Sequence, residues 1–138
     1  MEIIARRKNS LFIHYAIFAL IGGVFLALAL VFNKIYFLLG SLVIIAFALW
    51  GVIRLLRTPK IIIQYDGEYL ILREGKFRVN QLGRVNYHTT HAKGIHFSWG
   101  QLTLLLNGVQ IVYNDVADVE YVHNRLMELR LQAEKNSK

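Results

Sequence analysis

Leu11–Phe32, LFIHYAIFALIGGVFLALALVF, and Ile35–Ile53, IYFLLGSLVIIAFALWGVI, decide the architecture of this chain. The two stretches run 22 and 19 residues without a formal charge, close to the roughly 20 that carry a helix across a hydrocarbon core. Only Asn33 and Lys34 separate them, too few for anything but a reversal, so the sequence predicts an antiparallel helical hairpin with both ends on one side of a bilayer.

The surrounding charge agrees with that placement. The 138 residues carry a formal charge of +7, but residues 1–60 hold seven bases against one acid, and residues 61–138 hold nine bases against eight acids. The excess therefore flanks the hairpin and is not spread over a nucleic-acid footprint. Arg6, Arg7 and Lys8 precede the first span, and Arg54, Arg57 and Lys60 follow the second, with Lys34 alone at the turn. The bias of basic residues toward the cytoplasmic side predicts a two-pass protein of the cell membrane with both termini cytoplasmic. Tyr15 and Trp50 then lie near the inner interface and Tyr36 near the outer one. Arg6–Lys8 before an apolar run and Ala27-Leu28-Ala29 also fits a secretory signal. The run exceeds a signal core, however, and a second span follows at once.

Within the first span Ala19, Gly23 and Ala27 recur every four residues and form a helix-packing stripe. The second helix is its expected neighbour, and another membrane protein or a second copy is the alternative. His14, one turn from the end of the span, reads as an interfacial anchor.

After Pro59 the pattern becomes short apolar runs punctuated by turn residues, as in antiparallel sheets. Seven strands are predicted: Ile61–Tyr65, Tyr69–Arg73, Lys76–Asn80, Val85–His91, Ile95–Trp99, Leu102–Leu106 and Gln110–Tyr113. Asp66-Gly67, Glu74-Gly75 and Asn107-Gly108 suit two-residue hairpins, whose primed turns require positive φ. Lys93-Gly94 and Gly100 mark two further turns. Val119, Val122, Leu126, Leu129 and Ala133 recur at helical spacing, predicting a C-terminal helix over about 116–135 with Asp115 as cap and Asp118 completing a capping box. The expected organisation is a hairpin segment over 1–60 and a cytoplasmic domain over 61–138, an α+β membrane protein.

Seven short strands closed by one amphipathic helix resemble the pleckstrin-homology (PH) fold, a small barrel or sandwich. The N-terminal two-helix hairpin, the Asp66-Gly67-Glu68-Tyr69-Leu70-Ile71-Leu72 start and the Val79, Leu82, Val85 run resemble the bacterial PH-like membrane proteins. That resemblance implies a non-catalytic interaction module, an accessory subunit or scaffold of a cell-envelope complex. Lipid-binding PH domains cradle phosphoinositides with bases in the first hairpin loop, but here that loop is Asp66-Gly67-Glu68, which repels phosphate. Arg73, Lys76, Arg78 and Arg84, with the bases flanking the hairpin, leave contact with anionic lipid as an alternative. Resistance to membrane-active peptides is another.

No nucleophile elbow, nucleotide fingerprint or paired carboxylates appear, so no catalytic or cofactor residue is assigned. The chain has no cysteine, which removes disulfides, thiolate catalysis and cysteine metal sites. His88, His91 and His96 fall within nine positions, yet residues three apart on a regular strand face opposite ways. The sequence therefore predicts no metal site unless the chain bulges there. The expected partners are the bilayer and another membrane protein or a second copy, with no nucleic acid.

Overall fold

In the computed structural model, which describes Met1–Lys138, both apolar stretches are helical: α1 spans Leu11–Phe32 and α2 spans Ile35–Arg57. Asn33 ends α1 in the left-handed conformation, φ 50°, which asparagine tolerates better than most residues. The chain then enters α2 after a single further residue. Arg54 and Arg57 occupy the last turn of α2, where a cation meets the negative end of the helix dipole.

The helices meet through their small residues. Gly22, Ala29, Ser41, Ala48 and Gly51 are buried. A Cβ at Gly22 would stand 2.7 Å from Ile45 Cγ1, and one at Gly51 would enter the Tyr15 ring. Ser41 donates to the Leu38 carbonyl at 2.7 Å, so its hydroxyl is satisfied within an apolar helix. Phe25 and Phe37 meet across the seam with ring centroids 6.1 Å apart, while other large side chains, among them Leu20, Leu30, Val31 and Val43, face outward.

The second compact unit comprises Met1–Lys8 together with Thr58–Lys138. The residues before the hairpin thus belong with the sheets, not with the helical segment in which the sequence groups them. Strand β1 (Glu2–Arg6) pairs antiparallel with β2 (Ile61–Tyr65), from Glu2 opposite Tyr65 to Arg6 opposite Ile61. Strands β3 (Tyr69–Leu72) and β4 (Gly75–Arg78) complete a four-stranded sheet in the order β1-β2-β3-β4. After a 3₁₀ turn at Val79–Gln81, strands β5 (Leu82–Ala92), β6 (Ile95–Leu106) and β7 (Val109–Val116) form a three-stranded antiparallel sheet. Seven strands are present, but in two separate sheets and not in a closed barrel.

Turn chemistry places the reversals. Lys93-Gly94 has φ of 48° and 81°, and Asn107-Gly108 has 50° and 77°, the double positive φ of a type I′ hairpin. Gly100 is different. It lies inside β6, because Ile95–Trp99 and Leu102–Leu106 are one continuous strand. A Cβ at Gly100 would stand 2.0 Å from the His88 carbonyl oxygen, so this glycine permits close strand approach and does not turn the chain.

The inner faces of both sheets and helix α3 (Val119–Asn136) enclose one core. Ile4, Ile62, Leu70 and Leu72 enter from the first sheet, Leu102, Leu104 and Leu106 from the second, and Val119, Val122, Leu126 and Leu129 from α3. The apolar stripe of the last helix therefore closes the core, as its spacing requires. The helix starts later than the sequence predicts. Asp115 remains in β7, and the N-cap is Asp118, in the left-handed conformation with no side-chain cap bond. The reason lies at the other end of the chain. Lys8 N–H donates to the Asp115 carbonyl and Ala117 N–H to the Arg6 carbonyl, each at 2.8 Å, so these backbone groups extend a strand before any helix begins.

Candidate functional site

Strands β5 and β6 outrun β7. The third strand pairs with β6 only from Gly100 onward, leaving Thr89–Trp99 as a two-stranded arm. Its register shifts between the pairs Thr89–Gly100 and His91–His96, so that Thr90 alone faces Phe97, Ser98 and Trp99. The arm carries large apolar groups in the open: Ile95 is 61% exposed, and Phe97 and the neighbouring Tyr87 are also exposed. An isolated hairpin of this kind is at best marginally stable in water.

The same irregularity overturns the argument that the histidines diverge. The His88 and His91 rings stand 5.7 Å apart, and so do those of His91 and His96, forming one exposed row. His91 Nδ1 lies 3.3 Å from the Thr89 carbonyl oxygen. No three metal-ligating side chains are grouped so as to hold an ion.

Between the arm and the first turns of α3 lies a concavity of about 810 Å³. Tyr87, Phe97 and Tyr121 supply aromatic wall, while His96, Asp118, Glu120 and Asn124 supply polar groups, and no lysine or arginine lines it. Sequence reasoning missed this place because its walls come from three elements. The alternation of Ile95, Phe97 and Trp99 reads as one-sided burial, and only the shortness of β7 exposes it.

The predicted basic residues do not form one patch. Arg73 and Lys76 belong to the β3–β4 hairpin and Arg84 to the other sheet. Arg78 leans back to Glu68 at 3.8 Å and over the Tyr69 ring at 5.8 Å. Asp66 is also engaged: its Oδ1 accepts the N–H groups of Tyr69 at 2.8 Å and Glu68 at 3.2 Å, and these bonds hold its carboxyl below its ordinary pKa. Among the bases flanking the hairpin, Arg7 donates to the Thr58 carbonyl at 2.9 Å and Arg54 lies over the Trp50 ring at 5.7 Å. Arg6 and Lys60 are exposed, Lys8 is half-buried, and Arg57 lies in the last turn of α2.

Ala19, Gly23 and Ala27 all lie on the exposed side of α1. A Cβ at Gly23 would meet nothing within 4 Å. The stripe is not the face that α2 covers; the neighbouring Gly22 takes that role. With Ala16, Leu20 and Val24 it lines an open apolar groove of about 710 Å³.

No protein-family model, curated protein or solved structure matches the chain.

Proposed function

We propose that the chain is a two-pass membrane protein whose β-rich unit is a PH-like, non-catalytic module that binds another protein, as an accessory subunit or scaffold of a cell-envelope complex. Two helices long and apolar enough to cross a membrane support the anchoring. The pairing of β1 with β2 supports a common side for both ends of the hairpin, since Arg7 N–H donates to the Lys60 carbonyl at 3.1 Å. Cleavage after Ala29 would strip β1 from its sheet, which argues against a signal sequence. Positive flanks then make that side cytoplasmic. Seven strands in two antiparallel sheets with a closing C-terminal helix support the PH-like reading.

The observation that carries the binding role is the aromatic concavity beside the exposed β5–β6 arm. Apolar side chains displayed around a recess mark an interaction surface more often than a solvated one. Photo-crosslinking tests it: benzoylphenylalanine at Phe97 or Tyr121 is expected to yield a discrete protein adduct in cells, and at Val112, on the other sheet surface, none. Equal yields at all three positions would refute the reading.

The outward groove on α1 favours a second contact, with a helix of another membrane protein or of a second copy. Anionic-lipid binding draws less support, since the first hairpin loop is acidic and its charges are engaged. Resistance to membrane-active peptides is left to gene deletion followed by peptide challenge.

A further inference from the structure

Seven of the nine acids in the chain have work within it. Glu2 and Glu128 hold Arg125, Glu134 holds Arg130, Glu68 faces Arg78, Glu74 accepts from Tyr113, Asp66 accepts backbone N–H groups, and Asp115 is also engaged. Asp118 and Glu120 have no such side-chain partner, and both line the concavity between the arm and α3. The positive helix terminus there offsets only about half a charge and His96 is the one basic side chain in the lining, so acids still outnumber bases in the recess, within a unit whose bases outnumber its acids by 13 to 9.

We infer that this recess receives a cationic segment of a partner protein, a lysine or arginine flanked by apolar residues. The inference rests on the interaction-module reading above and names the chemistry of the partner. Aromatic faces attract ammonium and guanidinium groups while covering their aliphatic stems, and Tyr87, Phe97 and Tyr121 line the same recess as both acids, the Tyr87 ring also packing on His123 at 4.9 Å. A volume of about 810 Å³ far exceeds the space that one cationic head fills. Strand β5, which brings Tyr87 and Thr89 to the recess, is an edge strand of its sheet, the kind of element to which a polypeptide, unlike a small cation, can add by backbone pairing.

The test uses the full chain in a non-ionic detergent and three labelled peptides of alternating leucine with lysine, glutamine or glutamate, read by fluorescence anisotropy. The lysine peptide is expected to bind about tenfold more tightly than the glutamine peptide, equivalent to about 1.4 kcal/mol, and the glutamate peptide least. The Asp118→Asn, Glu120→Gln double variant should bring the lysine peptide to the level of the glutamine peptide, and Tyr121→Ala should weaken it severalfold. Glu134→Gln, on the far end of α3, should change nothing, and circular dichroism checks that each variant is folded.

Equal binding of lysine and glutamine peptides, or wild-type binding by the double variant, would overturn the inference. A crosslinked partner whose contacted segment is neutral or acidic would also end it, while leaving the interaction-module reading intact. Absence of any adduct from the arm would remove that reading instead.

Discussion

At the scale of single residues, two glycines show how one residue type serves unlike ends. Gly108 completes a turn with φ 77° and open space where a Cβ would go, whereas Gly100 sits against the backbone of His88 and Thr89. Backbone cannot yield as a flexible side chain can. Gly100→Ala should therefore destabilise the protein by about 3 kcal/mol, and Gly108→Ala by about 1 kcal/mol through strain alone, read as shifts in thermal denaturation. Glu2 offers a pH test. Both oxygens of its carboxylate accept from Arg125 at 2.9 Å, and this hydrogen bonding, followed by the attraction of the same guanidinium, holds the carboxyl below its ordinary 4.5. A carboxyl with a lowered folded-state pKa contributes stability that is complete above pH 4.5 and is lost as pH falls through the folded value. Because the pair is partly exposed, the contribution is about 1 kcal/mol. Glu2→Gln should remove it at pH 7 and flatten the acid limb of a stability-against-pH curve.

Among the elements, the helical hairpin separates two neighbouring glycines by what they face. Gly22 packs on Ile44 and Ile45, and Gly23 opens outward. Leucine at position 22 must push the helices apart, while leucine at 23 meets nothing of α2. Thermal size-exclusion analysis in detergent should show a melting midpoint several degrees lower for Gly22→Leu and an unchanged one for Gly23→Leu. The reverse order would place the Ala19, Gly23, Ala27 stripe on α2 after all. Four-residue spacing made such a stripe legible in the sequence, but spacing alone does not say which of two adjacent small rows faces the partner. The C-terminal helix was legible for a simpler reason: its apolar stripe had only one core to close. Its start was not, because Asp115 finds its backbone partner in Lys8.

For the whole molecule, the pairing of β1 with β2 changes what counts as a domain. Residues 61–138 alone lack Ile4 and Ala5, both buried in the core, and leave the outer edge of β2 bare. That fragment should aggregate or melt early. Met1–Lys8 joined by a short Gly/Ser linker to Thr58–Lys138 should instead give a monomer with a cooperative transition, checked by circular dichroism and sedimentation. Equal behaviour of the two proteins would show that β1 is dispensable. Topology is tested with single cysteines at Asn33, in the hairpin turn, and Asn107, in the β6–β7 turn. An impermeant thiol reagent added to intact cells should label Asn33→Cys and spare Asn107→Cys, and the opposite pattern would reverse the proposed orientation.

The sequence by itself determined the two long apolar helices, the tight reversal at Asn33 and Lys34, the hairpin turns at Lys93-Gly94 and Asn107-Gly108, and the buried stripe of α3. Each is a local matter, because helix length, apolar periodicity and positive φ depend on residues a few places apart. Only the tertiary structure decided that Glu2–Arg6 joins a sheet with Ile61–Tyr65, that β6 runs straight through Gly100, and that a register shift gathers three histidines in a row. It also decided that two acids without partners share a recess with three aromatics. Those features depend on which distant backbone groups satisfy one another's hydrogen bonds, and on where one strand ends before its neighbours do. Neither condition is written in the composition of any single segment.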